Sequence, residues 1–219
     1  LILLAVPVKA FAKVISQIRP HLSSDAVLTD VSSVKSPLLN TMCSPENAAI
    51  RFVGGHPITG SENFGPSASQ DNLFAGKHFI LTPSKNTDRN VLRTVRELWE
   101  SLGAEVSEMD AEAHDQMFAS VSHLPHLLAY ASIHAITNSD KPDALGQSGA
   151  GLKDFSRIAS SSPEMWADIF LENQENLLPR MNTFKDAMTD LEDAIMRNDK
   201  EKLIELLTLA KTERDRWMT

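Results

Sequence analysis

The sequence predicts an α/β domain of the Rossmann-like kind with a mostly parallel sheet, followed by an all-helical domain. Over residues 1–109, short apolar runs alternate with amphipathic stretches, which is the pattern of strands joined by crossover helices. After residue 110 no convincing strand follows, and apolar residues recur at steps of three and four. We therefore predict a domain boundary near residue 110, with residues 110–219 forming the helical domain.

Five short segments are predicted to form the sheet. Residues 1–6 are continuously apolar and end at a proline, which suits a central strand covered on both faces. Residues 61–76 are polar and are predicted to form a loop that covers a site. The remaining strands are predicted at 27–29, 50–53, 78–82 and 104–109, and helices at 11–18 and 91–102.

The helical domain is predicted to contain three long helices. The first covers residues 110–135, with Asp110 as its N-cap and an apolar stripe that begins at Met117 and Val121. Pro125 lies inside this helix, and a kink is expected there because proline lacks an amide donor. Stripes predict two further helices at 177–195 and 203–217, and Gly and Ser predict a loop with short turns at 144–163. These helices must pack against each other or against a second copy of the chain.

Composition excludes several classes of protein. The net charge of -8 argues against a protein that binds nucleic acid or a membrane surface. No apolar run is long enough to span a membrane. Cys43 is the only cysteine, which excludes an internal disulfide framework and suits a reducing cytoplasm. The first residues lack a basic leader, a cleavage site and an initiator Met, so the chain reads as one entered in the middle of a fold.

The segment from Gly54 to Glu62 is the first candidate site. Two glycines permit unusual backbone conformations, and Pro57 biases His56 towards extended geometry. An imidazole is therefore predicted on a stiff turn at a strand end, where ligands bind in open α/β sheets. A histidine that only forms a hydrogen bond in a tight turn fits the same pattern.

A second candidate is the segment from Asp30 to Lys35, at a strand-to-helix turn. Its serines and its lysine can present hydroxyls, free amides and a positive charge to a ligand. Ordinary capping of the following helix by Ser32 or Ser33 is the simpler explanation.

Further candidates lie in the helical domain. His123 and His126 are three residues apart and share a helix face, but no third ligand is evident, so no metal site is predicted. Arg157 offers a planar fork that suits a carboxylate, with a surface salt bridge as the alternative. Trp166 follows a helix start at Pro163 and is otherwise explained as a core residue.

In their order along the chain, these motifs resemble the prephenate/arogenate dehydrogenase family. The resemblance covers essentially the whole chain. It rests on Ala5-Val6-Pro7, Asp30 to Lys35, Gly55 to Glu62, Ser122 to His126, Ser156 to Ala159 and Met165-Trp166. It implies a Rossmann nucleotide-binding domain followed by a helical domain that forms a homodimer. The implied activity is the oxidation of prephenate or arogenate with loss of carbon dioxide, using NAD or NADP, in tyrosine biosynthesis.

The resemblance also implies roles for individual residues. His56 matches a catalytic histidine that hydrogen-bonds the ring hydroxyl, and Ser33 matches a serine that contacts this hydroxyl and the nicotinamide side. Arg157 matches an arginine that binds a substrate carboxylate. The implied substrate contacts are His123, His126, Arg157, Glu62 and Trp166, and the implied cofactor contacts are Val6, Pro7, Asp30, Ser33 and Pro57.

One departure from the family is large. The family begins with a strand, a Gly-x-Gly-x-x-Gly turn and a helix, and the cluster from Gly146 to Gly151 has the wrong spacing for that turn. We expect a Rossmann domain that lacks its first βαβ unit and binds NAD poorly alone. Two alternatives stay open: a catalytically silent helical dimer module, and another two-domain dehydrogenase that acts on a hydroxy acid.

Overall fold

The computed structural model describes residues 1–60, 67, 69–138 and 144–218. The chain divides into two compact units, Leu1–Leu177 and Leu178–Thr219. The first unit holds the sheet together with helices from both sides of residue 110, and the domain boundary near that residue stays a prediction. None of the helices in the described part of the chain is long and apolar enough to cross a membrane.

Five strands form one sheet, and their order across the sheet is their order along the chain. The β1–β2, β2–β3 and β4–β5 pairs are parallel, and the β3–β4 pair is antiparallel. The predicted α/β fold with a mostly parallel sheet is therefore confirmed. The strands are β1 (Ile2–Leu4), β2 (Val27–Asp30), β3 (Arg51–Pro57), β4 (His78–Thr82) and β5 (Glu105–Glu108).

The first strand differs from its prediction. β1 lies at the edge of the sheet and pairs with β2 alone among the described residues. Leu1, Ile2 and Leu3 are 56%, 36% and 43% exposed, so the predicted cover on both faces is not seen here. A continuous apolar run predicts a buried strand, but it does not by itself distinguish a central strand from an edge strand.

Nine α-helices are present in the described residues. They are α1 (Phe11–Ile18), α2 (Ser36–Met42), α3 (Arg89–Ser101), α4 (Ala111–Phe118), α5 (Leu124–Thr137), α6 (Ala150–Ser156), α7 (Pro163–Glu172), α8 (Gln174–Met196) and α9 (Lys200–Met218). The predicted loop with short turns at 144–163 is wrong where α6 forms, while the two short 3-10 turns on either side of α6 agree with it. Leu152, Phe155 and Ile158 recur there at steps of three, a helical signal that the Gly and Ser content hid.

Apolar cores cover both faces of the sheet because successive strand residues point to opposite sides. Val27 and Val53 pack in one core with α3, where Trp99 stacks on Phe79 with ring centroids 3.9 Å apart. Their chain neighbours Leu28 and Phe52 pack in the other core with α1 and α2. The sheet is thereby packed between helices on both faces.

The predicted long helix is present, and Asp110 caps it as expected. Its carboxylate accepts hydrogen bonds from the amides of Glu112 and Ala113 at 2.9 and 3.2 Å. The helix runs through α4, a π-helical turn at Ala119–His123, and α5. The disturbance expected at Pro125 is thus a π-helical turn that ends just before it, which is one of the usual ways in which a helix is interrupted.

Within the chain this helix buries a face that differs from the start of its apolar stripe. Met117 and Val121 of the predicted stripe are 45% and 63% exposed. His114, Asp115 and Phe118 are buried instead. The helix therefore turns polar groups towards the sheet, which hydrophobic periodicity cannot show.

Candidate active site

β3 carries His56 to the carboxyl edge of the sheet. The strand continues through both glycines to Pro57, and His56 lies opposite Ile80 of β4. The predicted stiff turn is therefore wrong, whereas the predicted position at a strand end is correct. Neither glycine has a positive φ. At Gly55 a side chain is excluded by crowding, since a Cβ there would lie 2.7 Å from the carbonyl oxygen of Asp30. The missing side chain lets β3 approach β2 closely.

A chain of three buried groups leads away from His56. Its Nδ1 lies 2.8 Å from Nε2 of His114, and Nδ1 of His114 lies 2.8 Å from Oδ1 of Asp115. The carboxylate of Asp115 also accepts the backbone amides of Lys35 and Ser36 at 2.8 and 2.7 Å. Asp115 therefore caps α2 from 80 residues away in the sequence, and the predicted capping by Ser32 or Ser33 is wrong.

The charges of these groups fix the direction of each hydrogen bond. Burial lowers the pKa of His56 well below its ordinary value, and His114 and the Lys35 ammonium lower it further. Burial raises the pKa of Asp115, but the hydrogen bonds from His114 and from the amides of Ser36 and Lys35 outweigh it, and the net pKa lies below its ordinary value. Asp115 is therefore a carboxylate at neutral pH and His56 is a neutral imidazole.

The tautomers follow from these charge states. A carboxylate only accepts, so Nδ1–H of His114 donates to Asp115. Burial lowers the pKa of His114, and as a neutral ring it has a bare Nε2 that accepts Nδ1–H of His56. The Nε2 of His56 is then left with a lone pair. The arrangement prepares His56 to accept a proton at that atom.

A buried ion pair supports the strand that carries His56. The ammonium of Lys35 donates to Oδ2 of Asp30 at 2.5 Å and to the carbonyl of Gly55 at 2.6 Å. Asp30 also accepts the amides of Ser32 and Gly55 at 2.7 and 3.0 Å. Lys35 is 1% exposed, so it presents no charge to a ligand. Asp30 is fully buried, so its side chain can influence a cofactor only through the loop that it holds.

His56 opens into a cavity of about 330 Å³, within the usual range for small-molecule sites. Arg157, at the start of the 3-10 turn after α6, lines the same cavity. The structure thus brings a neutral imidazole and a guanidinium to one space, although 101 residues separate them in the sequence. Other lining residues that matter here are Pro57, Phe118, Ser122, His126, Met165 and Trp166.

His126 and Trp166 form one wall of this cavity. Their rings stack with centroids 3.6 Å apart and planes inclined by 20°. Nδ1–H of His126 donates to the carbonyl of Ser122 at 2.9 Å, which leaves Nε2 as the second polar atom of the ring. Burial lowers the pKa of His126, the Ser122 bond opposes this, and Arg157 lowers it further. His126 is therefore a neutral ring held flat against the indole.

One predicted substrate contact, His123, does not line the cavity. His123 is fully buried behind it, where its Nδ1 accepts the side-chain amide of Asn173 at 3.0 Å. Burial lowers the pKa of His123 to about 4. Glu62 lies outside the described residues.

The predicted cofactor residues Val6, Pro7 and Ser33 line a second, smaller cavity of about 80 Å³. Met165 lines this cavity and the His56 cavity, so the two are neighbours. Ser32 also lines it, and its buried hydroxyl has no hydrogen-bond partner among the described residues. The lining is mostly apolar and also contains Ser33 and Asp168, and the small volume with an unpaired hydroxyl fits only the nicotinamide end of a dinucleotide.

The prediction from sequence missed His114, Asp115 and Asn173. Each is buried, and each forms a hydrogen bond to a group more than 50 residues away. The adjacent His114 and Asp115, four and three residues before Phe118, were the available signal, because that spacing places them on one helix face with an aromatic residue.

Comparison with known proteins decides the family. Residues 1–108 match the nucleotide-binding domain of prephenate dehydrogenase, and residues 110–209 match its dimerization domain. The chain belongs to the prephenate dehydrogenase family. The predicted family, the dehydrogenase class and the predicted use of NAD or NADP are confirmed at the level of this family.

Three relatives show how far the match extends. A cyclohexadienyl dehydrogenase of Zymomonas mobilis is 35% identical, covering 94% of this chain and 71% of that protein. A prephenate dehydrogenase of Bacillus subtilis is 30% identical, covering 98% of this chain and 58% of that protein. A crystal structure of prephenate dehydrogenase from Aquifex aeolicus, in complex with hydroxyphenyl propionate and NAD+, is 41% identical with a TM-score of 0.89, covering 98% of this chain and 75% of that chain.

Proposed function

We propose that this chain oxidises and decarboxylates prephenate or arogenate, with hydride transfer to NAD or NADP, as a step of tyrosine biosynthesis. The observation that carries the proposal is the shared cavity of His56 and Arg157. Oxidation of an alcohol requires an acceptor for the hydroxyl proton, and a neutral imidazole with a free lone pair meets this requirement. An acidic substrate requires a cation, and a guanidinium binds a carboxylate through two parallel hydrogen bonds.

Each residue of the site has a separate role in the proposed reaction. Nε2 of His56 accepts the hydroxyl proton as the carbonyl forms, and Arg157 holds a carboxylate so that the hydroxyl meets His56. The stacked rings of His126 and Trp166 limit the orientation of the substrate ring. Bound NAD or NADP would accept the hydride, held at its nicotinamide end by Val6, Pro7, Ser32 and Ser33. Departure of carbon dioxide then makes the ring aromatic.

Homodimerisation is part of the proposal. Helices α8 and α9 expose large apolar side chains, and their region matches a dimerization domain. Exposed apolar surface of this extent is typical of a surface that another protein covers. A cytoplasmic location is proposed from the single cysteine alone.

The direct test is an activity assay of the 219-residue chain with each substrate and each cofactor. Reduced cofactor is followed by absorbance, and 4-hydroxyphenylpyruvate or tyrosine is identified by chromatography. We expect His56→Asn to lower kcat by about 10²- to 10⁴-fold, the usual contribution of a general base. Arg157→Lys should mainly raise KM, because it loses the planar fork and keeps the charge.

Matched controls are His134→Asn and Arg93→Lys, which alter exposed residues away from the cavity. Equal activity of His56→Asn and His134→Asn would contradict the proposal. A chain that dimerises but forms no product with any substrate and cofactor pair would favour the alternative, a catalytically silent dimer module.

A further inference from the structure

His56 is a poor place for a positive charge, although the proposed reaction puts a proton there. The Lys35 ammonium, the His114 ring of α4 and the His123 ring of the π-helical turn all disfavour a positive charge on it. The Lys35 ammonium donates to the carbonyl of Gly55, the residue just before His56. His56 is also only 9% exposed, so water cannot stabilise an imidazolium there.

His114 differs from His56 in having carboxylates beside it. Its Nδ1 is 2.8 Å from the Asp115 carboxylate, and Asp115 and Asp30 favour a positive charge on it, against burial and the Lys35 ammonium, which lower its pKa. Asp115 is held by the amides of Lys35 and Ser36, and its own carbonyl accepts the side-chain amide of Asn173 at 2.8 Å. Phe118 stacks on the His114 ring with centroids 4.4 Å apart. The ring and its carboxylate are therefore fixed in one geometry.

Resting on the proposed function, we propose that His114 is a positioning residue that fixes the tautomer of His56 and takes up the Nδ1 proton of His56 while His56 holds the substrate proton. The O–H bond of the substrate breaks and an N–H bond forms at Nε2 of His56. At the same time the N–H bond at Nδ1 of His56 breaks and one forms at Nε2 of His114. His114 becomes an imidazolium beside Asp115, and His56 stays neutral with its tautomer exchanged.

The same path runs backwards before the product leaves. Loss of carbon dioxide leaves its bonding electrons in the ring, and the ring oxygen becomes a phenolate. Nε2 of His56 returns the proton to this oxygen as His114 returns one to Nδ1 of His56. Both rings recover their starting tautomers, and no proton is exchanged with solvent during the turnover. The buried position of His114 suits this role because it needs no contact with water.

The test uses ¹⁵N NMR of the histidine rings in the 219-residue chain without cofactor or substrate. At pH 8 both His56 and His114 should carry hydrogen on Nδ1 and none on Nε2. On acidification the first proton should make His114 an imidazolium while His56 stays neutral and exchanges its tautomer. Hydrogen on Nε2 of either ring at pH 8, or an imidazolium at His56, would overturn the proposal.

Two variants separate positioning from proton holding. In His114→Gln the side-chain oxygen can still accept Nδ1–H of His56 but cannot take the proton. The NMR tautomer of His56 should therefore be retained, while kcat falls about 10²-fold with KM unchanged. In His114→Phe the tautomer should be lost as well and kcat should fall further.

The number of protons that move in the rate-limiting step provides a second test. A purely structural role of His114 would leave this number unchanged when His114 is replaced. The rate in mixtures of H₂O and D₂O should curve for the wild type, where two protons move, and should be linear for His114→Gln. Wild-type kcat or a curved dependence in His114→Gln would overturn the proposal. If the wild type oxidises neither substrate, the proposed function fails, and the NMR measurement still decides the tautomers and the site of the proton.

Discussion

The network from Asp30 to His56 and the α8–α9 segment show opposite patterns of burial. In the first, five ionisable groups are buried: Asp30, Lys35, His56, His114 and Asp115. In the second, large apolar side chains are exposed, with Ile195 at 65%, Leu207 at 56% and Trp217 at 78%. Each pattern is unfavourable for an isolated folded chain.

The comparison indicates which residues carry the proposed function of each region. The buried charged groups are paired and hydrogen-bonded to one another. These bonds hold His56, the proposed proton acceptor, in one orientation. The exposed apolar residues of the second unit are not covered in the described part of the chain, which supports the proposed homodimer. The proposed catalysis therefore depends on buried polar residues, whereas the proposed dimerisation depends on exposed apolar residues.

The largest expected effect comes from breaking the buried ion pair. Lys35→Met leaves Asp30 as an uncompensated charge, and we expect a loss of about 3–5 kcal/mol in the free energy of unfolding. Urea titration followed by tryptophan fluorescence reports this, because Trp99 and Trp166 are buried in the first unit. Lys211→Met is the matched control, since its pair with Asp215 is exposed and should contribute about 0.5 kcal/mol or less. Similar losses in both variants would remove the distinction between the two regions.

A smaller effect is expected from pH. His123 has a pKa of about 4 in the folded chain and an ordinary value of 6.5 when unfolded. Between these values the unfolded chain binds the proton and the folded chain does not, so stability falls as the pH falls. The shift corresponds to about 3 kcal/mol lost from pH 6.5 to pH 4.

Urea titrations over this pH range check the sign and the size. His123→Asn keeps an acceptor for the amide of Asn173 and removes the titrating ring, so its stability should fall less steeply with acid. His134→Asn, an exposed histidine in the same helix, is the control. A wild type that gains stability on acidification, or an unchanged slope in His123→Asn, would show that the buried histidine is not held neutral.

The smallest expected effect concerns the exposed apolar face. Leu207→Glu should weaken homodimerisation by about 2 kcal/mol, roughly 30-fold in the dimer dissociation constant. Analytical ultracentrifugation over a dilution series measures this constant. Glu205→Lys, which also changes charge but points to another side of α9, should change it little. A wild-type chain that is monomeric at every concentration would rule out the proposed cover for this face.

Regular elements were predictable from the sequence because they depend on local periodicity. The strand at 78–82 was predicted with the bounds that β4 has, and α3 and the Asp110 cap were also predicted correctly. Arg157 and His56 could be nominated from their chemistry and from the family resemblance. Their shared cavity needed the fold, since nothing local relates β3 to the turn after α6.

The remaining part of the site escaped prediction for a physical reason. Asp115 accepts the amides of Lys35 and Ser36 across about 80 residues, and such contacts leave no periodic trace. The glycines before His56 suggested a turn because glycine is common in turns, whereas here Gly55 is required by a close approach of two strands.

The most direct test of the central claim is a crystal structure of this chain with hydroxyphenyl propionate, the ligand of the Aquifex aeolicus complex. The account predicts that the phenol oxygen lies about 3 Å from Nε2 of His56, at hydrogen-bond distance, while the carboxylate meets Arg157. A ligand bound with its carboxylate at His56, or in a cavity that His56 does not line, would contradict the account.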